Sequence, residues 1–425
     1  MLLGKIKLCI DKLVVLLLIL FPCISMFSQG DFSNSVLIFL SCFFLIILWC
    51  KKLNDLPIVF NRRVKIYTCL LISFFFMHII SLVISNSSLI KFHGYYWRLL
   101  ALIPIYSLLS HYKIKVAKII NCLKFVVVCS LLLGLYQVFI LGYQRAGFPF
   151  ILNSGYYPIN WGDTLLFIAI YLLMQGFIIN NNQKYLLIFS LIGLLCSFLS
   201  GSRGGWVGIP FAFVTYISLF NNSIKTSRKI VGVLVISLLS LAFLYICYRF
   251  NLLRVGSAYT DLKECISFNK CLSYNTTGGI AENSLGLRVM MWKNALLASN
   301  GHMLFGIGVA EYTSVLKSLA ENHLIPMYFF NNFNEEPHNE LIRMFTMLGV
   351  VGAIMYCIII FYPIMLVRGK YRALMTIFLV VFFMASLSQA ILIAPITCNI
   401  FIYIIALVTY EYEINESQKH VKHIK

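Results

Sequence analysis

Long apolar stretches separated by short polar joins set the organisation of this chain. Stretches of about 20 residues with few or no charges are the length that crosses the hydrocarbon core of a bilayer. They predict about twelve spans, near 13–28, 35–50, 66–84, 98–110, 118–141, 163–180, 184–200, 205–221, 229–249, 344–366, 373–388 and 394–410. One interval breaks the rhythm. The segment 250–343 is far longer than the joins between packed helices, and intervals of that size usually carry function. The chain therefore divides into nine spans with short loops (1–249), a large outer loop (250–343), three more spans (344–410) and a polar, lysine-rich tail (411–425). The expected fold class is an all-α polytopic membrane protein. No internal repeat of 20 to 50 residues stands out.

Composition agrees. With 60% hydrophobic and 12% charged residues and a mean hydropathy of +0.87, the chain is not a soluble globular protein, which carries about 25% charge. The first apolar stretch is followed by another and lacks a small-residue cleavage site, so it is expected to be a retained helix. A net charge of +19 would suggest nucleic acid in a soluble protein. Here the basic residues sort by side instead. Lys51, Lys52, Arg62, Arg63, Lys113, Lys115, Lys118, Lys225, Arg228, Lys229, Arg368, Lys370 and Arg372 fall in alternate loops, and further lysines lie at both termini. The positive-inside rule then puts both ends in the cytoplasm and the loops 29–34, 85–97, 142–162, 201–204, 250–343 and 389–393 outside. No nucleic acid partner is expected. Of 13 cysteines most lie in apolar stretches, where a thiol behaves as a small hydrophobe. Cys265 and Cys271 share the large outer loop and are candidates for a local disulfide in an oxidising compartment.

The outer loops hold the chemistry. Arg98 follows Tyr95, Tyr96 and Trp97 and reads as a snorkelling anchor in an interfacial aromatic belt. The loop from Arg145 to Asp163 is rich in Gly, Asn and aromatics, suited to a sugar-like molecule or to a plain connector. In Ser200-Gly201-Ser202-Arg203-Gly204-Gly205-Trp206 the glycines leave room for a bulky anion beside Arg203; the alternative is a tight helical hairpin. Apolar residues from Leu285 to Leu296, with Arg288 and Lys293 among them, predict an amphipathic helix on the outer membrane surface. Gly306-Ile307-Gly308 then breaks the chain, and with no preceding strand it is no nucleotide site. Pro337 suits the first position of a helix and would put His338 in its first turn, where the helix dipole disfavours an imidazolium. On that helix Asn339 and Arg343 share a face, with Glu340 in reach of Arg343. Gly349 and Gly352 allow close packing.

One histidine in a first helical turn, His338, and several arginines (Arg98, Arg145, Arg203, Arg288, Arg343) thus occupy one side, with no DxD motif for a divalent cation. That set fits attack by a hydroxyl on a carbon whose leaving group is a phosphate or diphosphate. Guanidinium forks would bind the phosphates in place of a metal, and His338 would take the proton. A phosphate above apolar helices suggests a lipid-linked donor.

These motifs, Ser200 to Trp206, Ser284-Leu-Gly-Leu-Arg288-Val-Met-Met-Trp292, Gly306-Ile-Gly308 and Pro337-His338-Asn339-Glu340 with Leu348-Gly349 and Gly352, resemble the bacterial O-antigen ligases (WaaL or RfaL type) of the wider Wzy-like polymerase and ligase superfamily. The resemblance implies a metal-independent, inverting glycosyltransferase of the membrane (GT-C) type with no cofactor. It implies transfer of O-polysaccharide from undecaprenyl diphosphate to a sugar of lipid A–core, at the periplasmic face of the inner membrane. His338 is then the expected base, Arg203 and Arg288 the expected diphosphate contacts, and Arg145, Asn339 and Arg343 further substrate contacts. Some such ligases carry an acidic residue near the start of the last span, where this chain reads Ser388-Gln389-Ala390. Two alternatives stay open: an O-antigen polymerase using the same donor, and a flippase or transporter of lipid-linked sugars. A transporter would carry ionisable groups near the bilayer midplane, whereas Arg203, Arg288 and His338 map to one side.

Overall fold

The computed structural model describes residues 2–28, 30–49, 61–85, 96–147, 158–179, 183–202, 204–219, 245, 284–333 and 336–424. Arg203, Cys265, Cys271 and nearly all of the predicted span 229–249 lie outside the described residues.

The apolar stretches become helices: α1 (Leu2–Phe27), α2 (Gly30–Trp49), α3 (Arg62–Ile84), α4 (Trp97–Leu100), α5 (Leu102–His111), α6 (Val116–Leu135), α7 (Pro158–Met174), α8 (Leu186–Leu199) and α9 (Gly204–Leu219). Within the large loop lie α10 (Ser284–Ala298), α11 (Tyr312–Glu321) and α12 (Met327–Phe333), and then come α13 (Glu340–Phe361), α14 (Gly369–Ser386) and α15 (Pro395–Ile424). Among the described residues there is no strand. Eight of these helices are long and apolar enough to cross a membrane, and α8 and α9 are shorter apolar helices.

Helix α15 is the centre. From Ile400 to Val408 every side chain is fully enclosed, because the stretch is apolar on all sides and so must be wrapped by other helices. It packs on α5, α7 and α1, while α9 lies along α14 and α8 along α7 and α6. Leu13, Leu16, Leu45, Ile46, Phe76 and Ile80 of α1 to α3 face outward. Burial there would gain nothing if the surroundings are lipid.

The expected span at 98–110 takes a different form. The chain turns at Ala101 between α4 and α5, and the ten residues of α5 rise only about 15 Å, half the hydrocarbon thickness. Arg98 is no snorkelling anchor. It is buried, its Nε donates to Asn34 Oδ1 at 2.8 Å and its Nη1 to the Ile393 carbonyl at 3.1 Å.

Those contacts gather the loops predicted to lie outside. At the same end Asn339 reaches Leu387, the Leu392 amide reaches Glu340, and Arg145 reaches Ser200. At the other end Tyr112 donates to Asp11 at 2.6 Å, Arg63 to the Met365 carbonyl at 2.8 Å, and Tyr106 to Glu413. Among the described residues, the segments around Arg63, Tyr112 and Met365 therefore lie at the end away from His338.

Candidate functional site

Helix α13 starts later than the proline suggested. Asn339 is its N-cap, extended at φ −154° and ψ 114°, and its Oδ1 accepts from the Ile342 amide at 3.0 Å. Asparagine is among the strongest N-caps, and it outcompetes Pro337, which stays outside the helix. His338 is therefore not in the first turn but one residue before the cap, at φ +48°. Non-glycine residues seldom adopt that left-handed backbone, and at such a cost they often mark functional positions. The His338 side chain is 36% exposed, and the Glu336 carboxylate lies 3.8 Å from its Nδ1.

Behind His338 the charges are enclosed. Glu336 Oε2 lies 4.0 Å from Arg343 Nε. Arg343 is buried, its Nη1 donates to Tyr96 Oη at 2.6 Å, and the Tyr96 hydroxyl donates to Glu340 Oε1 at 2.8 Å. The second Glu340 oxygen accepts from the Leu392 amide at 3.1 Å. Burial, ahead of the neighbouring carboxylates, pushes the Tyr96 hydroxyl well above its ordinary range, so it stays a neutral donor. Fully enclosed carboxylates need such partners. Asn339 is likewise committed: its Nδ2 donates to the Leu387 carbonyl at 2.8 Å. Arg343 and Asn339 thus occupy the positions of struts beneath the histidine.

A second group forms around Asp163 of α7. The Asp163 side chain, wholly enclosed in the first turns of α7, accepts from Ser202 Oγ, and both Arg288 and Arg145 lie within electrostatic reach of it. Burial lowers the Arg288 guanidinium from its usual range while Asp163 acts to keep it charged. Arg145 Nε donates to the Ser200 carbonyl at 2.7 Å, against Gly201 at φ +65°. Ser202, the residue before Arg203, is held by the same carboxylate.

The glycines of this turn serve a different purpose from the expected one. A Cβ on Gly204 would fall 1.6 Å from Ser388 Oγ, and one on Gly205 would fall 2.6 Å from Leu166 Cδ2 and 2.9 Å from Asp163 Oδ1. Protein fills that room, so the glycines let the turn dock on α7 and α14. The docking also joins the two groups. Gly204, next to Arg203, sits on Ser388, and Asn339, next to His338, is bonded to Leu387. Gly204 and Asn339 thereby touch the same two-residue segment, Leu387-Ser388.

The amphipathic stretch containing Arg288 is the helix α10, but its apolar side meets protein. Met290 and Met291 pack with Phe329 of α12, and Ala295 lies against α13, where the Thr346 hydroxyl bonds the Ala295 carbonyl at 3.4 Å. After α10 the segment through Gly306 and Gly308 inserts into a break in α13 at Gly349 (φ 69°, ψ −163°). The Val350 amide donates to Met303, Ile307 to Thr346 and Gly308 to Met347, at 2.8, 2.9 and 3.1 Å. This clasp ties the helix of Arg288 to the helix that begins beside His338.

Sequence reasoning missed Asp163, Glu336 and Tyr96 as site residues. For Asp163 a signal was available, since a carboxylate in an apolar span is costly and tends to be functional. Nothing local marks Glu336 or Tyr96. Among the described residues no group of three His, Cys, Asp or Glu side chains is placed to hold a metal ion.

Comparison with known proteins bears on this arrangement. Residues 188–357 match the family model described as O-antigen ligase. That segment holds Asn339, His338, Arg288 and the glycine turn around Arg203. An uncharacterized protein of Haemophilus influenzae is similar at 26% identity over 360 residues, covering 80% of this chain and 86% of that one.

Proposed function

Because residues 188–357 carry an O-antigen ligase family domain, we propose that this multi-pass membrane protein is an O-antigen ligase. It transfers undecaprenyl-diphosphate-linked O-polysaccharide to a sugar hydroxyl of lipid A–core, at the periplasmic face of the inner membrane. The observation that carries the reading is a part-exposed histidine flanked by a carboxylate, with the residues around Asp163 tied to the start of α13 through the Leu387-Ser388 segment.

In this reading the acceptor oxygen attacks the anomeric carbon as the bond from that carbon to the diphosphate oxygen breaks, with inversion. The electron pair leaves on undecaprenyl diphosphate, where Arg203, Arg288 and Arg145 offset the growing charge without a metal. His338 takes the hydroxyl proton, and Glu336 offsets the positive charge the imidazole gains. Arg343 and Asn339, which the sequence suggested as substrate contacts, act by holding Glu336 and the start of α13 in place.

The lipopolysaccharide of a deletion strain tests this. Core without polymer, with lipid-linked polymer accumulating, is the expected result. Core bearing a single repeat would make the protein a polymerase, and loss of the periplasmic precursor would make it a flippase.

A further inference from the structure

The end of the bundle away from His338 carries a constellation that the proposed transfer does not use. Between α1 and α6 lies an open cleft of about 350 Å³, walled by Asp11, Lys12, Val15, Leu16 and Ile19 of α1 and by Lys118 of α6. Positions 11, 15 and 19, like 12 and 16, recur every four residues and so share one side of α1. Eight residues of helix rise about 12 Å, so the wall runs from a charged mouth down toward the apolar middle of the span.

The mouth is built for an anion. Lys12 and Lys118 are both exposed, and the one carboxylate present, Asp11, accepts from Tyr112 Oη at 2.6 Å, which ties α1 to the turn before α6. Helix α6 has no side-chain cap and no acidic residue in its first turn, so the positive end of its dipole adds to the two ammonium groups. Below the mouth Val15, Leu16 and Ile19 offer only apolar contact.

We propose that this cleft binds one anionic phospholipid of the leaflet on the basic side, with its phosphate between Lys12 and Lys118 and an acyl chain along Val15, Leu16 and Ile19. Charge selects the occupant. A zwitterionic lipid brings an ammonium group that the lysines repel, and a second copy of this chain would present the same basic end.

Native mass spectrometry of the full-length protein, released from vesicles holding equal phosphatidylglycerol and phosphatidylcholine, reads the outcome. The wild type should retain one phosphatidylglycerol that Lys12→Ala/Lys118→Ala loses, with at least tenfold weaker binding. Lys113→Ala/Lys115→Ala, which removes exposed charge outside the cleft, should keep it. Leu16→Trp, which fills the trench and leaves the charge alone, should also expel it. Equal retention of both lipids, equal loss in the two double variants, or retention by Leu16→Trp would each overturn the proposal.

Discussion

Gly306 and Gly349 lie against each other's neighbours at positive φ, and neither has room for a Cβ. One built on Gly306 falls 2.4 Å from the backbone of Met347 and Leu348, and one on Gly349 falls 2.2 Å from the Leu304 carbonyl. The loop thus replaces hydrogen bonds that α13 loses at its break, and it fixes α10 relative to α13.

Alanine at either glycine should therefore be costly. Left-handed strain of about 1–2 kcal/mol adds to overpacking of about 1–3 kcal/mol. Thermal unfolding in detergent should show a clearly lower midpoint for Gly306→Ala and Gly349→Ala. Gly301, at φ +80° with nothing within 4 Å of a Cβ, is the control, and Gly301→Ala should lose only the strain contribution.

Removing Tyr96 Oη strips a partner from both Arg343 and Glu340. Tyr96→Phe should destabilise by about 1.5–3 kcal/mol, the range for hydrogen bonds to charged groups. Glu340→Ala should cost more, roughly 3–5 kcal/mol, because buried Arg343 loses its fully enclosed carboxylate and the Tyr96 hydroxyl loses its acceptor. Equal midpoints for wild type and Glu340→Ala would contradict the enclosed network.

At His338 stability and activity should separate. The side chain is partly exposed, so His338→Ala should reach the membrane at wild-type level and unfold at the same temperature. In a reconstituted assay transfer should fall by roughly 10²–10⁴-fold, the usual contribution of a general base. Glu336→Gln should lower the rate less and leave donor KM unchanged. Full activity in His338→Ala would remove the histidine from the chemistry.

Arg288 and Asp163 should behave as a coupled pair. Arg288→Ala is expected to raise KM for the lipid diphosphate donor and to leave acceptor KM alone. Asp163→Asn should give a smaller donor defect, and the double variant should match Arg288→Ala alone, since electrostatically coupled residues are not additive. A purely acceptor-side defect would exclude diphosphate binding by Arg288.

Guanidinium groups can neutralise a departing diphosphate unaided. EDTA should then leave the rate of the purified enzyme unchanged. A loss that magnesium restores would assign that work to a metal.

Much of this was legible in the sequence because it depends on local pattern. Apolar length alone marks the long helices α1 to α3, α6 to α9 and α13 to α15, but not α11 and α12 in the large loop, and the alternation of lysines and arginines separates the two ends of the bundle. The density of glycine and arginine between Ser200 and Trp206 and the residues around His338 marked the candidate site, because both stand out against apolar surroundings. Where competing local signals met, the reading went astray. Pro337 and Asn339 can each start a helix, and only the fold shows that the asparagine does so. Arg98 looked like an interfacial anchor because its partners, Asn34 and Ile393, are far away in sequence.

The chain by itself thus determined that this is a helical membrane protein with its candidate-site arginines and its histidine motif on one side, since hydropathy and charge act residue by residue. The tertiary structure decided which of those charges meet. Asp163 with Arg288, Tyr96 with Arg343, and Gly306 with Gly349 are long-range pairings. Each exists because enclosed charges must find partners and a broken helix must satisfy its backbone, and which partner comes within reach depends on how the helices pack.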